Sequence, residues 1–231
     1  MANTNRILII VTSIGEYEEV GFRTGLWLGE LTHFYDVVER AGFTSVIASI
    51  DGGYVPIDPE SLSHDFLAEL GTAKRYADRE FMNLLTSTKS VAEVDATDFD
   101  AIYLTGGHGV MYDFPQSDRL AELIREFHES GKVVSAVCHG PCGLLSAKLS
   151  NGEYLIHGKN VTGFSWPEEE LAQRERAVPY SLQDELKKRG AAYTVADKPF
   201  ETYVVEDENL ITGQNPGSAG AVADAVVKQL S

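Results

Sequence analysis

The chain has 231 residues, enough for one sizeable core, and its composition, 43% hydrophobic and 23% charged, is ordinary for a globular protein. Nineteen basic against 35 acidic residues leave a formal charge of −16, which argues against nucleic acid or anionic membranes as partners, because both are bound through basic side chains. The two cysteines form no disulfide framework, and the N-terminal apolar run Ile7–Val11 is too short for a signal peptide or membrane span, so a cytoplasmic protein is expected.

Strand and helix patterns alternate in the first part of the chain. Ile7–Val11 has the continuous apolar character of a buried strand, and Thr24–Ala41 has the apolar stripe of a helix. A second strand is predicted over Thr44–Ile50. The segment Asp51–Ser61 contains two glycines and two prolines and is therefore predicted to be a loop. A further helix is predicted within Ala77–Lys89.

The pattern continues with a third buried strand, Phe99–Leu104, which leads into a glycine-rich loop. The clearest helix follows, with Ser117 as its N-cap and Gly131 at its end. The strand Lys132–Val137 comes next. Beyond it the pattern is more mixed. Short strands are predicted at Val161–Phe164, Tyr193–Val195, Thr202–Val205 and Leu210–Gly213. Two further helices are predicted at Ser181–Gly190 and around Val222 to Leu230.

This alternation predicts an α/β fold, with a mostly parallel sheet and helices on both of its faces. The sequence contains no internal repeat and no linker that would divide it, so a single domain is expected. Ligands of such sheets bind at the carboxyl ends of the strands. The loop after Leu104 and the residue after Val137 are both predicted to lie at that edge.

The residue after Val137 is Cys138, the strongest candidate for chemistry. The apolar strand ends at this cysteine and is followed by His, Gly, Pro and small residues that can continue as a helix. A nucleophile on a strand-to-helix turn protrudes from the sheet, and the positive end of the helix favours the thiolate. Cys138 is therefore predicted to be reactive; the alternative is an inert core cysteine.

A reactive thiol requires a partner that handles protons, and His139 is the nearest candidate base. Because adjacent side chains diverge, a third group must orient it. The run Glu168-Glu169-Glu170 offers carboxylates for this purpose, and it is equally suited to the solvated start of a helix. Glu30 lies on the first predicted helix. In a dry pocket near a thiolate it would be protonated and would donate a hydrogen bond; on the surface it would be an ordinary charge.

The loop Gly106–Gly109 allows a close backbone approach to a ligand. Its N–H groups, together with that of His139, could form an oxyanion hole. Zinc is not expected, because Cys138 and Cys142 are not a C-x-x-C pair and the six histidines lack ligand spacing. No phosphate-binding glycine pattern occurs, so neither a metal nor a cofactor is predicted.

The segment Ala136–Pro141 resembles the nucleophile elbow of the ThiJ/PfpI superfamily, whose sheet is similar to that of class I glutamine amidotransferases. Further motifs resemble the glutathione-independent glyoxalase (glyoxalase III) class, which also includes heat-shock chaperones: Thr24–Trp27 with Glu30 and His33, Val55–Pro59, Leu104–Gly109, Val161–Phe164 and Thr212–Pro216. The resemblance implies a flavodoxin-like three-layer sandwich formed by one domain, 1–231, with inserted elements around 51–95 and 164–205. It also implies a homodimer.

The resemblance assigns roles to the candidate residues. It implies that Cys138 is the nucleophile, His139 the acid/base and Glu30 a protonated carboxyl group beside the sulfur. The third triad member in this class is an acidic residue about thirty positions past the histidine. This favours Glu170, with its two neighbours in the acidic run as alternatives.

The same resemblance implies that Gly107 supplies an oxyanion N–H group and that His108 and His33 contact the substrate. The chain departs from the class pattern at two places. Phe34 replaces the proline usual after the helix histidine, and Trp166-Pro167 precede the acidic run. Both departures are expected to reshape the pocket wall.

The function implied is cofactor-independent conversion of small-molecule, methylglyoxal-type 2-oxoaldehydes to 2-hydroxy acids such as D-lactate. The alternatives are a stress chaperone, a protein deglycase or a cysteine peptidase of the same superfamily. A glutamine amidotransferase is not expected, because such enzymes place their catalytic histidine late in the chain, and here no histidine follows His157. Ala136 also replaces the glycine expected before the nucleophile.

Overall fold

The computed structural model describes residues 5–68 and 71–231, and a seven-stranded sheet lies at its centre. Six of the strands are parallel, and β8 is antiparallel to β9, so the predicted fold class is confirmed. In spatial order the strands are β3 (Lys89–Ser90), β2 (Thr44–Ser49), β1 (Arg6–Val11), β4 (Ala101–Leu104), β5 (Val133–Val137), β9 (Leu210–Gly213) and β8 (Val204–Asp207). Two further short strands, β6 (Asn160–Val161) and β7 (Ala192–Tyr193), pair separately.

Helices cover both faces of the sheet. They are α1 (Leu28–Arg40), α2 (His64–Ala68), α3 (Thr72–Ala77), α4 (Arg79–Asn83), α5 (Val110–Asp113), α6 (Asp118–Glu129), α7 (Trp166–Leu171), α8 (Leu182–Lys188) and α9 (Ala219–Leu230). Helices α1 and α9 pack together on one face, and α6 lies on the other. In the described residues, no helix combines the length and apolar character needed to cross a membrane.

The central strand β1 shows how the sequence specifies these layers. Side chains alternate between the two faces of a strand, so an unbroken apolar run serves two cores at once. Leu8 and Ile10 belong to the core that contains the apolar side of α6, whereas Ile7, Ile9 and Val11 belong to the core beneath α1 and α9. All five side chains are completely buried.

The first helix begins later than its sequence pattern predicts. Residues 24–27 are not helical, because they pair with the loop at residues 56–58. The Leu26 N–H donates to the Pro56 carbonyl at 2.8 Å, and the Asp58 N–H donates to the Leu26 carbonyl at 2.9 Å. The Thr24 hydroxyl donates to the Asp58 carboxylate at 2.9 Å. Two motifs noted separately in the sequence are therefore one structural unit.

Other boundaries also differ from prediction. After Cys138 the chain forms a 3₁₀ helix, Gly140–Leu145, instead of an α-helix. The helix predicted within Ala77–Lys89 is only Arg79–Asn83, because Lys89–Ser90 must reach the edge of the sheet as β3. Residues Pro59–Leu62, at the end of a predicted loop, form a 3₁₀ helix capped by an aspartate.

The sequence analysis expected Phe34 to reshape the pocket wall. Instead, Phe34 anchors α1 to the sheet and does not line the cavity. Its ring is completely buried and stacks on Tyr103 of β4, with centroids 3.6 Å apart and an interplanar angle of 5°. The Tyr103 hydroxyl donates to the carbonyl of Glu30 at 3.1 Å. The stacked pair therefore fixes the first turn of α1 against the sheet.

We expect Phe34→Ala to lower the free energy of unfolding by about 3–5 kcal/mol, because the substitution leaves a cavity beneath α1. Urea denaturation followed by circular dichroism measures this change. The control is Phe22→Ala, since Phe22 is 61% exposed and its loss should change stability by less than about 0.5 kcal/mol. Equal stability of the two variants would contradict the assigned anchoring role.

Candidate active site

The chain makes a sharp turn at Cys138, directly after β5. Cys138 has a φ of 59°, a left-handed conformation that is unfavourable for a residue with a side chain. Two backbone hydrogen bonds hold it: its N–H donates to Gly213 at 2.9 Å, and its carbonyl accepts from Phe164 at 2.8 Å. The strained turn places the sulfur at the carboxyl edge of the sheet, as the elbow motif predicts.

His139, the next residue, lies between the sulfur and a carboxylate. Its Nδ1 atom is 3.3 Å from the Cys138 Sγ, and its Nε2 atom is 2.9 Å from the Glu169 Oε2. The other oxygen of Glu169 is 2.7 Å from the Nε2 atom of His108. A thiol, an imidazole and a carboxylate are therefore in contact in the order that a nucleophile–base–carboxylate relay requires, and a second imidazole holds the carboxylate.

The protonation states follow from this network. Burial acts to raise the pKa of Glu169, but His139 and His108 outweigh it and hold that pKa well below its usual range. Because the Glu169 carboxylate can only accept, both imidazoles donate through Nε2–H. The Nδ1 atom of His139 then carries a lone pair that faces the sulfur. Burial, aided by His108, lowers the pKa of His139, so the ring is a neutral base.

The carboxylate that meets His139 is that of Glu169, so the sequence-based preference for Glu170 is wrong. The two residues are neighbours on α7, where each residue rotates the side chain by about 100°. Glu169 is buried and meets His139, whereas Glu170 faces solvent. Glu168 is also buried, but it points to a different set of partners. The acidic run alone did not reveal which of the three glutamate side chains faces the site.

Glu30 is the second carboxyl group of the site, and it is completely buried in the first turn of α1. Its Oε2 atom accepts a 2.6 Å hydrogen bond from the Gly106 N–H, and the carboxyl group lies beside the Cys138 thiol. Burial raises the pKa of Glu30 to about 8. The group is therefore a neutral acid at pH 7, as the sequence analysis predicts for a carboxyl in a dry pocket.

The sulfur itself is less acidic than the sequence suggested. Burial, and then the negative charge that Glu30 carries when ionised, raises the pKa of the Cys138 thiol. The expected help from a helix N-terminus is small, because only the short 3₁₀ segment Gly140–Leu145 follows. Cys138 is thus a thiol at rest, and the adjacent lone pair of His139 is placed to accept its proton.

Gly107 brings the glycine-rich loop close to the backbone of another segment. Its φ is 91°, and an added Cβ atom would overlap the carbonyl oxygen of Gly25 and approach the Trp27 nitrogen to 2.6 Å. Gly107 and His139 both line the cavity. No acceptor in the described part of the chain takes either N–H group, so the two can bind an oxyanion. The Gly106 N–H is already engaged by Glu30.

The site opens into a cavity of about 460 Å³, and Cys138, His139, His108 and Gly107 are part of its lining. The remaining lining is largely apolar, at Trp27, Phe66, Phe164, Leu171, Ala172, Phe200 and Pro216. The cavity is thus a polar, reactive site with apolar walls, the usual form of a small-molecule site.

Two predicted contributors to the pocket do not line it. The Nε2 atom of His33 is 2.9 Å from the Thr72 hydroxyl oxygen, because the ring turns from α1 toward α3. His33 therefore lies outside the cavity lining, where the resemblance places a substrate contact. Trp166 does not line the cavity either; it lies in the first turn of α7, next to the Ser165 N-cap.

A group of potential metal ligands is nevertheless present, which sequence spacing could not reveal. Ligand atoms of His108, His139 and Glu169 lie within 4.8 Å of one another. Two imidazoles and a carboxylate can bind a divalent transition metal. Such an ion would have to replace both hydrogen bonds to Glu169, and it would remove the carboxylate that orients His139.

Sequence reasoning missed a second buried network behind the cavity wall. Glu168 Oε1 accepts from the Phe200 N–H at 2.8 Å and from the Asn215 side-chain amide at 3.0 Å. Asn215 follows the carboxyl end of β9, where ligands of parallel sheets bind, so its position was available as a signal. Phe200 lies in an irregular segment and carried no comparable signal.

Known proteins resemble this chain over almost its whole length. The pattern of the DJ-1/PfpI family matches residues 24–229. A glutathione-independent glyoxalase of Saccharomyces cerevisiae is 32% identical, with 94% of each chain covered. The crystal structure of glyoxalase III from Candida albicans is 29% identical, with a TM-score of 0.86 and coverage of 97% of this chain and 96% of that one.

A further solved structure, the 24 kDa Rapid Encystment Protein of Francisella tularensis, is 36% identical, with a TM-score of 0.93 and coverage of 99% of this chain and all of that one. This chain and these proteins cover each other almost end to end, and the range 24–229 that matches the family contains every residue assigned to the site above. The resemblance to ThiJ/PfpI proteins is confirmed, and the chain belongs to the DJ-1/PfpI family.

Proposed function

We propose that this protein is a glutathione-independent glyoxalase that converts 2-oxoaldehydes to 2-hydroxy acids. The observation that carries the proposal is the position of the Cys138 thiol, between the His139–Glu169 pair and the neutral carboxylic acid of Glu30. Such a site offers a nucleophile, a base and an acid without a cofactor. Relatives named as glutathione-independent glyoxalases support the proposal.

The first step forms a carbon–sulfur bond. As Sγ of Cys138 adds to the aldehyde carbon, the thiol proton passes to Nδ1 of His139, 3.3 Å away. The carbonyl oxygen becomes an alkoxide, which the N–H groups of Gly107 and His139 stabilise. The neutral carboxyl group of Glu30, beside the sulfur, adds a hydrogen-bond donor. Protonation of the alkoxide by His139 completes a hemithioacetal and restores the base.

The second step moves hydrogen between the two carbons. Nδ1 of His139 removes the proton from the carbon bonded to sulfur and passes it to the ketone oxygen, which gives an enediol. Nδ1 then takes the proton of the former hemithioacetal hydroxyl group and delivers it to the neighbouring carbon. The aldehyde carbon is thereby oxidised to a thioester and the ketone carbon is reduced to an alcohol, so no external oxidant or reductant is consumed. Water then hydrolyses the thioester, releases the 2-hydroxy acid and regenerates the thiol. For methylglyoxal the product is lactate, and the class resemblance implies the D enantiomer.

The first prediction concerns the nucleophile. Cys138→Ala should reduce methylglyoxal consumption and lactate formation, measured without glutathione, to the uncatalysed background, because no other thiol lines the cavity in the described part of the chain. Cys142→Ala is the matched control. Cys142 is fully buried and donates to the Val110 carbonyl, outside the cavity lining, so its loss should leave turnover within about twofold. Retained turnover in Cys138→Ala would refute the mechanism.

A second prediction separates the two neighbouring glutamates. Glu169→Gln should lower kcat by about a hundredfold or more, because a neutral amide neither fixes the Nε2–H tautomer of His139 nor stabilises the imidazolium. Glu170→Gln alters a solvent-facing residue on the same helix and should leave kcat unchanged. Steady-state assays of the two variants test the assignment. Equal losses, or a loss confined to Glu170→Gln, would contradict it.

A third prediction concerns pH. Glu30 has a pKa of about 8, so the carboxyl group is neutral and able to donate below that pH and becomes charged above it. Turnover should therefore fall as the pH rises through about 8. In Glu30→Gln the side chain cannot ionise, so this decline should disappear while measurable turnover remains. An unchanged alkaline decline in kcat/KM of Glu30→Gln would show that another group causes it.

A further inference from the structure

Phe200 adopts a backbone conformation that requires an explanation. Its φ is 62°, in the left-handed region, which is a genuine outlier for a bulky side chain. The residue is 49% exposed, so burial does not compensate for the unfavourable backbone. Strain of this kind persists only where the surrounding structure enforces it, and it concentrates at ligand-contacting positions.

A buried carboxylate enforces this conformation. The Phe200 N–H donates to Oε1 of Glu168 at 2.8 Å, and Glu168 is completely buried. Glu168 also accepts hydrogen bonds from Ser165 and from the Asn215 amide. These bonds satisfy a charge that would otherwise be costly to bury. These hydrogen bonds fix the backbone that carries one aromatic ring at the mouth of the cavity.

The ring continues an aromatic wall that begins at the catalytic base. The Phe164 ring lies 4.5 Å from that of His139, and the Phe200 ring lies 6.1 Å from that of Phe164. On another part of the lining, Trp27 and Phe66 form an edge-to-face pair with centroids 4.8 Å apart. The lining therefore offers two sets of aromatic rings that an apolar group of a ligand can contact.

The size and charge of the cavity point in the same direction. Methylglyoxal has five non-hydrogen atoms, whereas cavities of about 300–1,000 Å³ accommodate much larger ligands, and this one is about 460 Å³. Within the described part of the chain, its lining contains no lysine or arginine. The lining does contain Glu60, whose carboxylate pairs with Arg174. A substrate that brings a negative charge would find no cation along the wall.

From these observations we infer that the enzyme selects 2-oxoaldehydes whose keto carbon carries an uncharged aromatic or large apolar group, and that Phe200 is a specificity-determining residue. This inference rests on the proposed glyoxalase function. The aldehyde reacts with Cys138 while the substituent lies between Phe164, Phe200 and the pair Trp27–Phe66. Methylglyoxal is still a substrate, but it leaves most of the apolar wall in contact with water.

The test compares three 2-oxoaldehydes without glutathione: phenylglyoxal, methylglyoxal and the carboxylated 4,5-dioxopentanoate. In the native enzyme, kcat/KM should be at least about tenfold higher for phenylglyoxal than for methylglyoxal, because burial of the ring contributes binding energy. It should be lowest for 4,5-dioxopentanoate. Equal values for the three aldehydes would overturn the inference and leave the proposed function intact.

Aldehydes differ in intrinsic reactivity, so each one is also compared between the native enzyme and variants at Phe200. The intrinsic reactivity of the aldehyde is the same on both sides of that comparison. Phe200→Ala should lower kcat/KM for phenylglyoxal by about tenfold and that for methylglyoxal by less than about twofold. Phe200→Gly should behave the same way, and it suits the left-handed backbone, so misfolding cannot explain the result. Phe22→Ala, at a 61% exposed phenylalanine outside the lining, should change neither value. Equal losses for both aldehydes would overturn the role of Phe200 in specificity.

A binding measurement keeps this inference separate from the reaction. Acetophenone and acetone are unreactive ketones, and their dissociation constants can be measured by ligand-observed NMR with the native protein. Acetophenone should bind at least about tenfold more tightly than acetone, and Phe200→Gly should remove most of that difference. If no aldehyde is turned over, the proposed function fails. The inferred preference for aromatic groups is then judged by the affinities of acetophenone and acetone alone. Equal affinities would overturn it.

Discussion

The site depends on a single carboxylate that accepts one hydrogen bond from each of two imidazoles. Glu169 takes the Nε2–H of His139 on one oxygen and that of His108 on the other. Because an ionised carboxylate cannot donate, this arrangement fixes the tautomer of both rings. The lone pair of His139 must then face the sulfur. The direction of proton flow is therefore set in the folded protein before any substrate enters.

The second carboxyl group of the site has the opposite protonation state. Glu30 has a backbone N–H and a thiol as neighbours, with no positive charge among the causes that set its pKa, so burial dominates and it remains neutral. Glu169, a few ångströms beyond His139, has two imidazoles and remains charged. Pairs of titratable groups whose environments push their pKa values apart divide acid from base chemistry. The sulfur lies between them.

Much of this architecture could be predicted from local sequence patterns. The buried strand at Ile7–Val11 and the helix capped by Ser117 depend on periodicity and capping, and both occur as expected. The predicted start of the first helix was wrong because residues 24–27 pair with residues 56–58, which are remote in sequence, and this pairing overrides their helical propensity. The preference for Glu170 as the carboxylate beside His139 was wrong because a run of identical residues carries no information about how the helix is oriented. Phe200 could not be found, since its position depends on a buried carboxylate contributed by another segment.

The network around Glu168 has a consequence beyond packing. Glu168 and Glu169 are adjacent on α7, yet one holds the cavity mouth at Phe200 and the other holds the catalytic imidazole. The helix thus joins the surface proposed to meet the substrate to the imidazole proposed to move its protons. Insertions or deletions near residue 200 that pull on Glu168 would also tilt α7 and displace the base. Divergence of substrate range within this fold is therefore expected to proceed through side-chain exchange at the mouth, with the length of that loop held constant.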